Sequence, residues 1–202
     1  MQPILVTAFE PFGGEKLNPT ELILKRLPDT VSSYTVKKLL LPVEFARAPE
    51  LTLAEYDRLT PAAVLMLGQA GGRSAVTPEI RARNIMNASL PDNAGYHPNH
   101  LPVASNGPQE LYSTFPAEKI REAVLALGIP CELSDDAGQY VCNTLLYSML
   151  AHNKGEVPTG FIHVPYIKEQ RHDDMPSMSL NDLIKAVTAA IEVTALCLKA
   201  NL

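Results

Sequence analysis

The sequence predicts an α/β protein with a largely parallel central sheet. Short apolar runs alternate with amphipathic stretches along the chain, which is typical of strands that alternate with helices. The chain has 202 residues, of which 46% are hydrophobic and 19% are charged. This length and composition predict one globular domain over residues 1–202, large enough to bury a sizeable core.

Five apolar runs are predicted to form the strands: residues 3–9, 37–43, 62–69, 129–134 and 159–166. The first helix is predicted to begin with Asn18 as its N-cap and Pro19 at its first position, and to continue through residues 20–27. A second predicted helix covers residues 117–127 and stops at Gly128.

Two more helices are predicted in the second half of the chain. Residues 143–150 form a plausible short helix. Residues 180–198 repeat apolar side chains at helical spacing, and Ser179 with Asp182 three residues later resembles a capping box. Residues 91–109 have no clear period and many Pro, Asn and Gly residues, so they are predicted to form a long loop of a kind that is usually functional or mobile.

Charge, hydropathy and cysteine content exclude several classes of protein. The net charge of −5 and the sequence pI near 5.5 argue against nucleic acid as the main partner. No apolar window is long enough to predict a membrane span, and the first residues are interpreted as a strand rather than a signal peptide because no basic residue precedes their apolar run. Three cysteines, Cys131, Cys142 and Cys197, are too few and too odd in number for a secreted disulfide framework, which favours the reducing cytoplasm.

Cys142 is the candidate nucleophile because of its predicted position in the first turn of a helix. The positive end of the helix dipole is expected to lower the pKa of its thiol. The N–H groups of that turn could also hold a developing oxyanion. The alternative is an inert packing cysteine. A thiolate needs, in addition, a proton donor for the leaving group, which is normally a histidine.

His163 and Glu79 are the candidate partners of Cys142. His163 lies near the end of the last predicted strand, and strand ends in α/β sheets converge on one edge. The alternative is a core histidine on a buried strand. Glu79 follows the third predicted strand and its glycine-rich turn, where it could orient the imidazole. A solvated glutamate near Arg81 and Arg83 is the alternative, and spacing alone decides neither question.

Four further segments give weak signals. Phe9 and Phe12 could wall a flat pocket, although such aromatics more often belong to the core. The segment GQAGG at 68–72 lacks the lysine and spacing of a P-loop and the pattern of a dinucleotide-binding fingerprint. The segments HPNH at 97–100 and HDD at 172–174 carry metal-ligand residue types without an established zinc spacing, so exposed polar loops are expected there and no metal site is predicted.

Together these stretches resemble the pyroglutamyl peptidase I family, the pyrrolidone-carboxylate peptidases, which are cysteine peptidases. The resemblance runs along nearly the whole chain and rests on these motifs in family-like order: TAFEPFGG, NPT at 18–20, LP at 41–42, GQAGGR, LPDNAG at 90–95, NGPQELYSTFP at 106–116, AGQYVCN and FIHVPYI. It implies a single-domain three-layer α/β/α sandwich, commonly assembled as a homotetramer, that needs no metal or other cofactor.

The resemblance also implies a role for each site residue. It implies that Cys142 is the nucleophile, His163 its acid–base partner and Glu79 the orienting acid. The residues implied to bind the pyroglutamyl ring are Phe9, Phe12, Gln69, Leu90, Tyr140 and Val141. The implied reaction is removal of an N-terminal pyroglutamyl residue from a peptide, by acyl transfer to the thiol followed by hydrolysis.

One departure from the family pattern concerns an arginine. Where the family usually has Asp-Ala-Arg, residues 87–89 of this chain read Asn-Ala-Ser. The resemblance implies that the arginine at the position of Ser89 helps to fix the active-site geometry. Because its acidic neighbour is absent as well, no charge is stranded. Our hypothesis is that Arg73, Arg81 or Arg83 takes over part of the role.

Two alternative functions stay open at the level of the sequence. One is a catalytically weakened family member that acts as a binding protein for a cyclic amide or an N-blocked peptide. The presence of Cys142, His163 and Glu79 together argues against it. The other is a different cysteine acyl hydrolase for another N-blocked or lactam substrate, which rates on pyroglutamyl, prolyl and acetyl anilides would separate.

Overall fold

A computed structural model describes residues 2–170, 172 and 174–200. The helices and strands of these residues are, in chain order, β1 (Ile4–Phe9), α1 (Pro19–Arg26), β2 (Thr30–Val31), β3 (Tyr34–Leu41), α2 (Arg47–Leu59), β4 (Ala63–Gln69), β5 (Thr77–Glu79), β6 (Arg81–Arg83), β7 (Glu110–Tyr112), α3 (Ala117–Ala126), α4 (Val141–Asn153), β8 (Thr159–Val164), β9 (Tyr166–Ile167), a 3-10 turn (Lys168–Gln170), β10 (Ser177–Met178) and α5 (Leu180–Ala200).

The central sheet has six strands in the order β2-β3-β1-β4-β8-β5. The inner strands β3, β1, β4 and β8 are parallel, whereas β2 and β5 pair antiparallel at the two edges. The chain therefore has the predicted α/β fold with a mostly parallel sheet. Two short two-stranded ladders, β6 with β7 and β9 with β10, lie outside this sheet.

Helices cover both faces of the sheet and so give the three layers that the family resemblance implies. Side chains alternate between the two faces of a strand, and in β1, β4 and β8 both sets are buried, as expected for inner parallel strands. One core packs beneath α1, α3 and α5 and includes Leu65 and Ile162. The other packs beneath α2 and α4 and includes Leu5, Met66 and Phe161.

The predicted helix signals have the expected geometry. The Asn18 side chain accepts a hydrogen bond from the Thr20 N–H at 3.0 Å, and Pro19 is the first residue of α1. At the start of α5, the Ser179 hydroxyl oxygen accepts from the Asp182 N–H at 3.1 Å and donates to the Asp182 carboxylate at 2.8 Å. The cap residues therefore place both helix starts where the sequence predicts them.

The prediction of a strand at residues 129–134 is wrong. This stretch touches the edge of the sheet only through isolated bridges from Cys131 to Val76 and from Ser134 to Glu79. Pro130 within it has no N–H to donate, which limits a continuous ladder. Helix α2 and the short strand β5 were not predicted.

The long loop was predicted correctly. Residues 91–109 contain no helix and no strand beyond a single bridge from Leu101 to Met86. In the part of the chain that the structure describes, no helix combines the length and apolar character needed to cross a bilayer.

Candidate active site

Cys142 is the second residue of α4, as the sequence predicts. Tyr140 is the N-cap residue with an extended backbone, and its side chain makes no capping hydrogen bond. The first-turn N–H groups of α4 therefore have no side-chain acceptor from Tyr140. A helix start of this kind favours negative charge on a nearby ligand.

The sulfur of Cys142 lies on the sheet over Gly68. A Cβ added to Gly68 would lie 2.9 Å from the Cys142 Sγ and 2.6 Å from the Phe161 ring, so only glycine fits between them. Gly68 in β4 is the register partner of His163 in β8. Because neighbouring strands are about 4.8 Å apart, this register places the thiol beside the histidine.

His163 is bound to Glu79 by a buried hydrogen bond. Its Nδ1 lies 2.7 Å from the Glu79 Oε1, with the side chains 5% and 0% exposed. The antiparallel pairing of β5 with β8 creates this contact. It places Thr77 opposite His163, and Glu79 follows two residues after Thr77 in β5. A carboxylate only accepts, so Nδ1 carries the proton and Nε2 is the nitrogen left to exchange one.

Arg73 supports the same carboxylate. Its Nη1 donates to the Glu79 Oε1 at 2.6 Å and to the Thr77 hydroxyl at 2.5 Å, while Nη2 donates to the Asp136 carbonyl at 2.8 Å. The second carboxylate oxygen, Oε2, is buried and has no hydrogen bond of good geometry. The Ser134 hydroxyl nevertheless lies close enough to help stabilise the charge.

Glu79 is ionised despite its burial. Burial alone would raise the pKa of its carboxyl, but the hydrogen bond and charge of His163 and the contributions of Ser134 and Arg73 outweigh it and hold the pKa below its ordinary value. A buried anion thus faces the Nδ1 side of the imidazole and stabilises a positive charge on that ring.

The expectation of a lowered thiol pKa for Cys142 is wrong. Burial and the negative charge of Glu79 raise the pKa of this thiol to about 12, against the smaller opposing effects of Arg73 and a backbone hydrogen bond. The residue keeps partial exposure, yet its sulfur is enclosed between α4 and the sheet. The thiol of the free protein is therefore neutral at pH 7, and any reaction at this sulfur would require the loss of that proton.

The aromatic residues expected at the pocket lie near the start of α4. The rings of Phe12 and Tyr140 have centroids 6.0 Å apart, and the Tyr140 hydroxyl donates to the Pro91 carbonyl at 3.0 Å. Phe9 ends β1 and is only 2% exposed. Phe9 and Val141 belong to the core beneath α2 and α4, and the partly buried Phe12 packs against it. Phe12 and Tyr140 thus form an aromatic wall beside Cys142.

Leu90 and Gln69 complete the expected set. Leu90 is 37% exposed, and its Cδ1 would lie 3.6 Å from a Cβ at Gly13, which places it against the loop that carries Phe12. Gln69 is the last residue of β4, directly after Gly68. All six expected pocket residues therefore occupy the sheet edge or the segments around it.

Two residues near the site were missed by the sequence analysis. The Phe45 ring packs edge-on against Tyr140, with centroids 5.1 Å apart. Gln170 binds the Gln69 side chain at 2.8 Å. Both come from distant parts of the chain, and no local pattern marks them. A glycine at position 68 in an otherwise apolar strand was a readable signal of close approach.

The three arginines proposed to compensate for Ser89 are placed differently. Ser89 itself is exposed. Arg81 pairs with Glu110 at 2.6 Å and Asp135 at 3.2 Å, and Arg83 lies 3.7 Å from a carboxylate oxygen of Asp136. Of these arginines, Arg73 is the one in contact with Glu79.

Two cavities flank the site without being lined by Cys142 or His163. One of about 420 Å³ lies on the outer side of Arg73 and is lined by residues 72–75, 77 and 132–135. The other, about 380 Å³ and mostly apolar, lies between α2, α4 and the long loop and includes Phe45 and Thr144. Neither of these two cavities is therefore lined by the thiol or by the imidazole.

The two motifs weighed as metal sites differ in how far the structure describes them. In HPNH, a ring nitrogen of His97 lies 2.9 Å from the Ala88 carbonyl, and one of His100 lies 2.6 Å from the Asn99 side chain. In HDD, Asp173 lies outside the described residues. Among the residues that are described, no three His, Cys, Asp or Glu side chains are grouped to hold a metal ion.

Comparisons with known proteins agree on one family. Residues 2–196 match the family model described as pyroglutamyl peptidase. The chain is 42% identical to pyrrolidone-carboxylate peptidase 1 of Caldanaerobacter subterraneus subsp. tengcongensis, over 94% of this chain and 96% of that protein. It is 40% identical to pyrrolidone-carboxylate peptidase of Lactobacillus helveticus, over 96% and 99% of the two chains.

Solved structures show the same similarity in three dimensions. Pyrrolidone carboxyl peptidase from Thermococcus litoralis superposes with a TM-score of 0.95 at 34% identity, covering 100% of this chain and 97% of that one. A variant of pyrrolidone carboxyl peptidase from Pyrococcus furiosus superposes with a TM-score of 0.93 at 39% identity, covering 97% and 99%.

Proposed function

The chain belongs to the pyroglutamyl peptidase family and is a cysteine peptidase that removes an N-terminal pyroglutamyl residue from peptides; we propose that Cys142 is its nucleophile, His163 its acid–base group and Glu79 the residue that orients His163. The observation that carries these roles is the buried 2.7 Å contact of His163 with Glu79. The Cys142 thiol lies next to this pair, because it packs over Gly68, the register partner of His163 in the sheet. This is the arrangement of nucleophile, base and orienting acid that acyl transfer requires.

The first step is attack of Cys142 on the pyroglutamyl carbonyl. Because the thiol pKa is raised to about 12, the proton passes to His163 Nε2 while the carbon–sulfur bond forms. The ionised Glu79 stabilises the imidazolium that results. In this proposal the N–H groups at the start of α4, which have no side-chain cap, stabilise the oxyanion.

The second step releases the shortened peptide. His163 donates its proton to the departing amine as the carbon–nitrogen bond breaks, which leaves a thioester on Cys142. Water then gives a proton to His163 and attacks the thioester, and the proton returns to the sulfur as pyroglutamate leaves. Each cycle consumes one water molecule and removes one residue.

The substrate has no cationic N-terminus, because its nitrogen is closed into a neutral lactam. An aromatic slot can bury such a ring, and a few polar groups must satisfy its C=O and N–H, since each buried and unpaired group costs about 1–3 kcal/mol. Aromatic Phe12 and Tyr140 and the amide of Gln69 lie at the sheet edge where these needs would be met. We assign the ring-binding role to Phe9, Phe12, Gln69, Leu90, Tyr140 and Val141.

Arg73 is proposed to supply the support that the family draws from the arginine at the position of Ser89. Its guanidinium fixes Glu79 and thereby His163, and its charge also favours the thiolate of Cys142. Arg81 and Arg83 are left out of this proposal because they pair with acidic residues outside the proposed triad of Cys142, His163 and Glu79.

We further propose that the chain works as a homo-oligomer, a tetramer by family resemblance, in the cytoplasm. Large apolar side chains are exposed on the long loop, at Tyr96 and Leu101, and on α5 at Leu196, with exposures of 45%, 43% and 59%. Such residues suit a subunit interface. Cys131, Cys142 and Cys197 are free thiols, which fits a reducing compartment.

The alternative of a binding protein without turnover receives no support from relatives that are themselves named peptidases. The test is release of a chromophore from pyroglutamyl, prolyl and acetyl anilides under reducing conditions. We expect turnover of the pyroglutamyl substrate alone. Binding of a pyroglutamyl peptide without turnover by well-folded protein would instead favour the binding protein, and turnover of the acetyl substrate would favour a different acyl hydrolase.

A further inference from the structure

Gln170 joins three segments next to the thiol. It ends the 3-10 turn, and its Nε2 donates to the Gln69 Oε1 at 2.8 Å and to the Leu17 carbonyl at 3.3 Å. Its Oε1 accepts from the Ile167 N–H at 3.1 Å. One side chain therefore links the end of β4, the loop that follows Phe12 and the strand that follows His163.

These bonds fix which way the Gln170 amide points. The Leu17 carbonyl can only accept a hydrogen bond and the Ile167 N–H can only donate one. The NH₂ end of Gln170 must therefore face Leu17 and Gln69, and its oxygen must face Ile167. These backbone partners therefore distinguish the amide oxygen of Gln170 from its nitrogen, an assignment that is usually ambiguous.

The orientation of Gln170 then dictates that of Gln69. An NH₂ group facing Gln69 demands an acceptor, so Gln69 turns its Oε1 toward Gln170. Within the described chain, the Gln69 Nε2 makes no hydrogen bond to another residue. Both N–H donors of the Gln69 amide are consequently left for a ligand, whereas its oxygen already accepts a hydrogen bond from Gln170.

We propose that Gln170 is a positioning residue for substrate specificity, which holds the Gln69 amide so that its N–H meets the lactam C=O of the pyroglutamyl ring. This inference rests on the proposed function, because it takes the lactam as the ligand. A prolyl residue has no ring carbonyl and leaves the Gln69 donor unpaired. The Gln170–Gln69 pair thus selects pyroglutamyl over prolyl substrates.

The Gln170→Glu variant tests the inference directly. A carboxylate can still accept from Ile167, but it repels the Gln69 oxygen and makes Gln69 rotate its NH₂ toward residue 170. The oxygen of Gln69 then faces the lactam C=O. The lactam C=O then loses a buried hydrogen bond and faces a second acceptor, which weakens binding by about 10–100-fold. We therefore expect KM for a pyroglutamyl anilide to rise by about that factor, with kcat changed less than about threefold.

Two further measurements separate positioning from folding. The inhibition constant of 2-pyrrolidone, which carries the lactam without a scissile bond, should rise in parallel with KM. Gln170→Met, which removes the orienting bonds without reversing them, should raise KM less, by about 2–10-fold. Glu169→Gln is the matched control, because it changes an exposed neighbour in the same turn and should leave KM unchanged.

The outcomes distinguish this inference from the proposed function. Wild-type protein that does not turn over the pyroglutamyl anilide contradicts the function itself. Active wild type together with a folded Gln170→Glu variant of unchanged KM and unchanged 2-pyrrolidone inhibition overturns the positioning role alone. A fall in kcat for the pyroglutamyl anilide, with KM and the 2-pyrrolidone inhibition constant no higher than in the wild type, also overturns it.

Discussion

Cys142 and Cys131 are both enclosed thiols, and burial is the largest cause of the raised pKa in each, about 12 for Cys142 and about 11 for Cys131. Their neighbours differ. Cys142 lies in the first turn of α4 beside His163 and Glu79, whereas Cys131 lies in an extended segment that bridges to Val76. The comparison teaches that a low thiol pKa does not distinguish the proposed nucleophile from the other enclosed cysteine. The difference between the two lies in the neighbouring imidazole and carboxylate and in the N–H groups of the first turn of α4.

Replacing each cysteine by alanine gives the largest contrast. Cys142→Ala removes the proposed nucleophile, and we expect kcat to fall by about 10⁵-fold or more. Cys131→Ala should keep kcat within about twofold and lower the free energy of unfolding by about 1 kcal/mol, because it removes only a small buried group. Steady-state kinetics and denaturant unfolding of both variants check this. A comparable loss of kcat in Cys131→Ala would contradict the distinction.

Glu79→Gln is expected to have the next largest effect. The amide can donate to His163 Nδ1 and stabilise the wrong tautomer, so kcat should fall by about 10³–10⁴-fold with little change in KM. A folded Glu79→Gln variant that retains a tenth or more of wild-type kcat would show that Cys142 does not depend on an oriented imidazole.

Arg73→Gln should act through Glu79 and have a moderate effect. Without the guanidinium, the pKa of Glu79 rises, so the acid limb of the kcat/KM profile should move to higher pH and kcat/KM at neutral pH should fall about tenfold. Arg81→Gln is the matched control, because Arg81 pairs with Glu110 and Asp135 outside the triad. If Ser89→Arg greatly raises activity, Arg73 does not compensate for the missing arginine.

The Cys142 thiolate should not be detectable near neutral pH. We expect no step in ultraviolet thiolate absorbance attributable to Cys142 between about pH 5 and about pH 9, measured as wild type minus Cys142→Ala. A step below pH 7 would reveal a preformed thiolate–imidazolium pair and contradict the neutral thiol.

A small effect on stability follows from the same pKa values. The folded pKa of each thiol lies above its ordinary value of 9.0. Each thiol therefore contributes stability that is complete below pH 9.0 and is lost as the pH rises toward 11 and 12. Cys131→Ala should flatten the alkaline decline in the free energy of unfolding, measured by denaturant titration at several pH values.

The inner strands and the starts of α1, α4 and α5 could be predicted from the sequence because their signals are local. Apolar runs mark strands buried on both faces, and Asn18 and Ser179 carry the capping oxygens at their helix starts. The segment at 129–134 has the composition of a strand, but it forms only isolated bridges to Val76 and Glu79. Whether this segment forms a strand depends on its contacts with distant segments of the chain, which a local sequence pattern does not report.

The chemistry of the site was less predictable than its residue types. Glu79 and His163 are 84 residues apart, and spacing alone left a solvated glutamate and a core histidine as alternatives. The thiol pKa was predicted in the wrong direction because the helix dipole is a local property, whereas the enclosure of the sulfur against Gly68 depends on the tertiary fold. The roles of the triad and pocket residues stay predictions until the variants above are measured.

The strand order of the sheet sets when the protein can first become active. β8 lies between β4 and β5, so β5 has no sheet neighbour until residues 159–164 have been synthesised and inserted. Contacts of such long sequence separation form late in folding. We therefore expect the nascent chain to show no peptidase activity until its last third has been synthesised and has packed into the fold. The appearance of activity would then report that the sheet is complete.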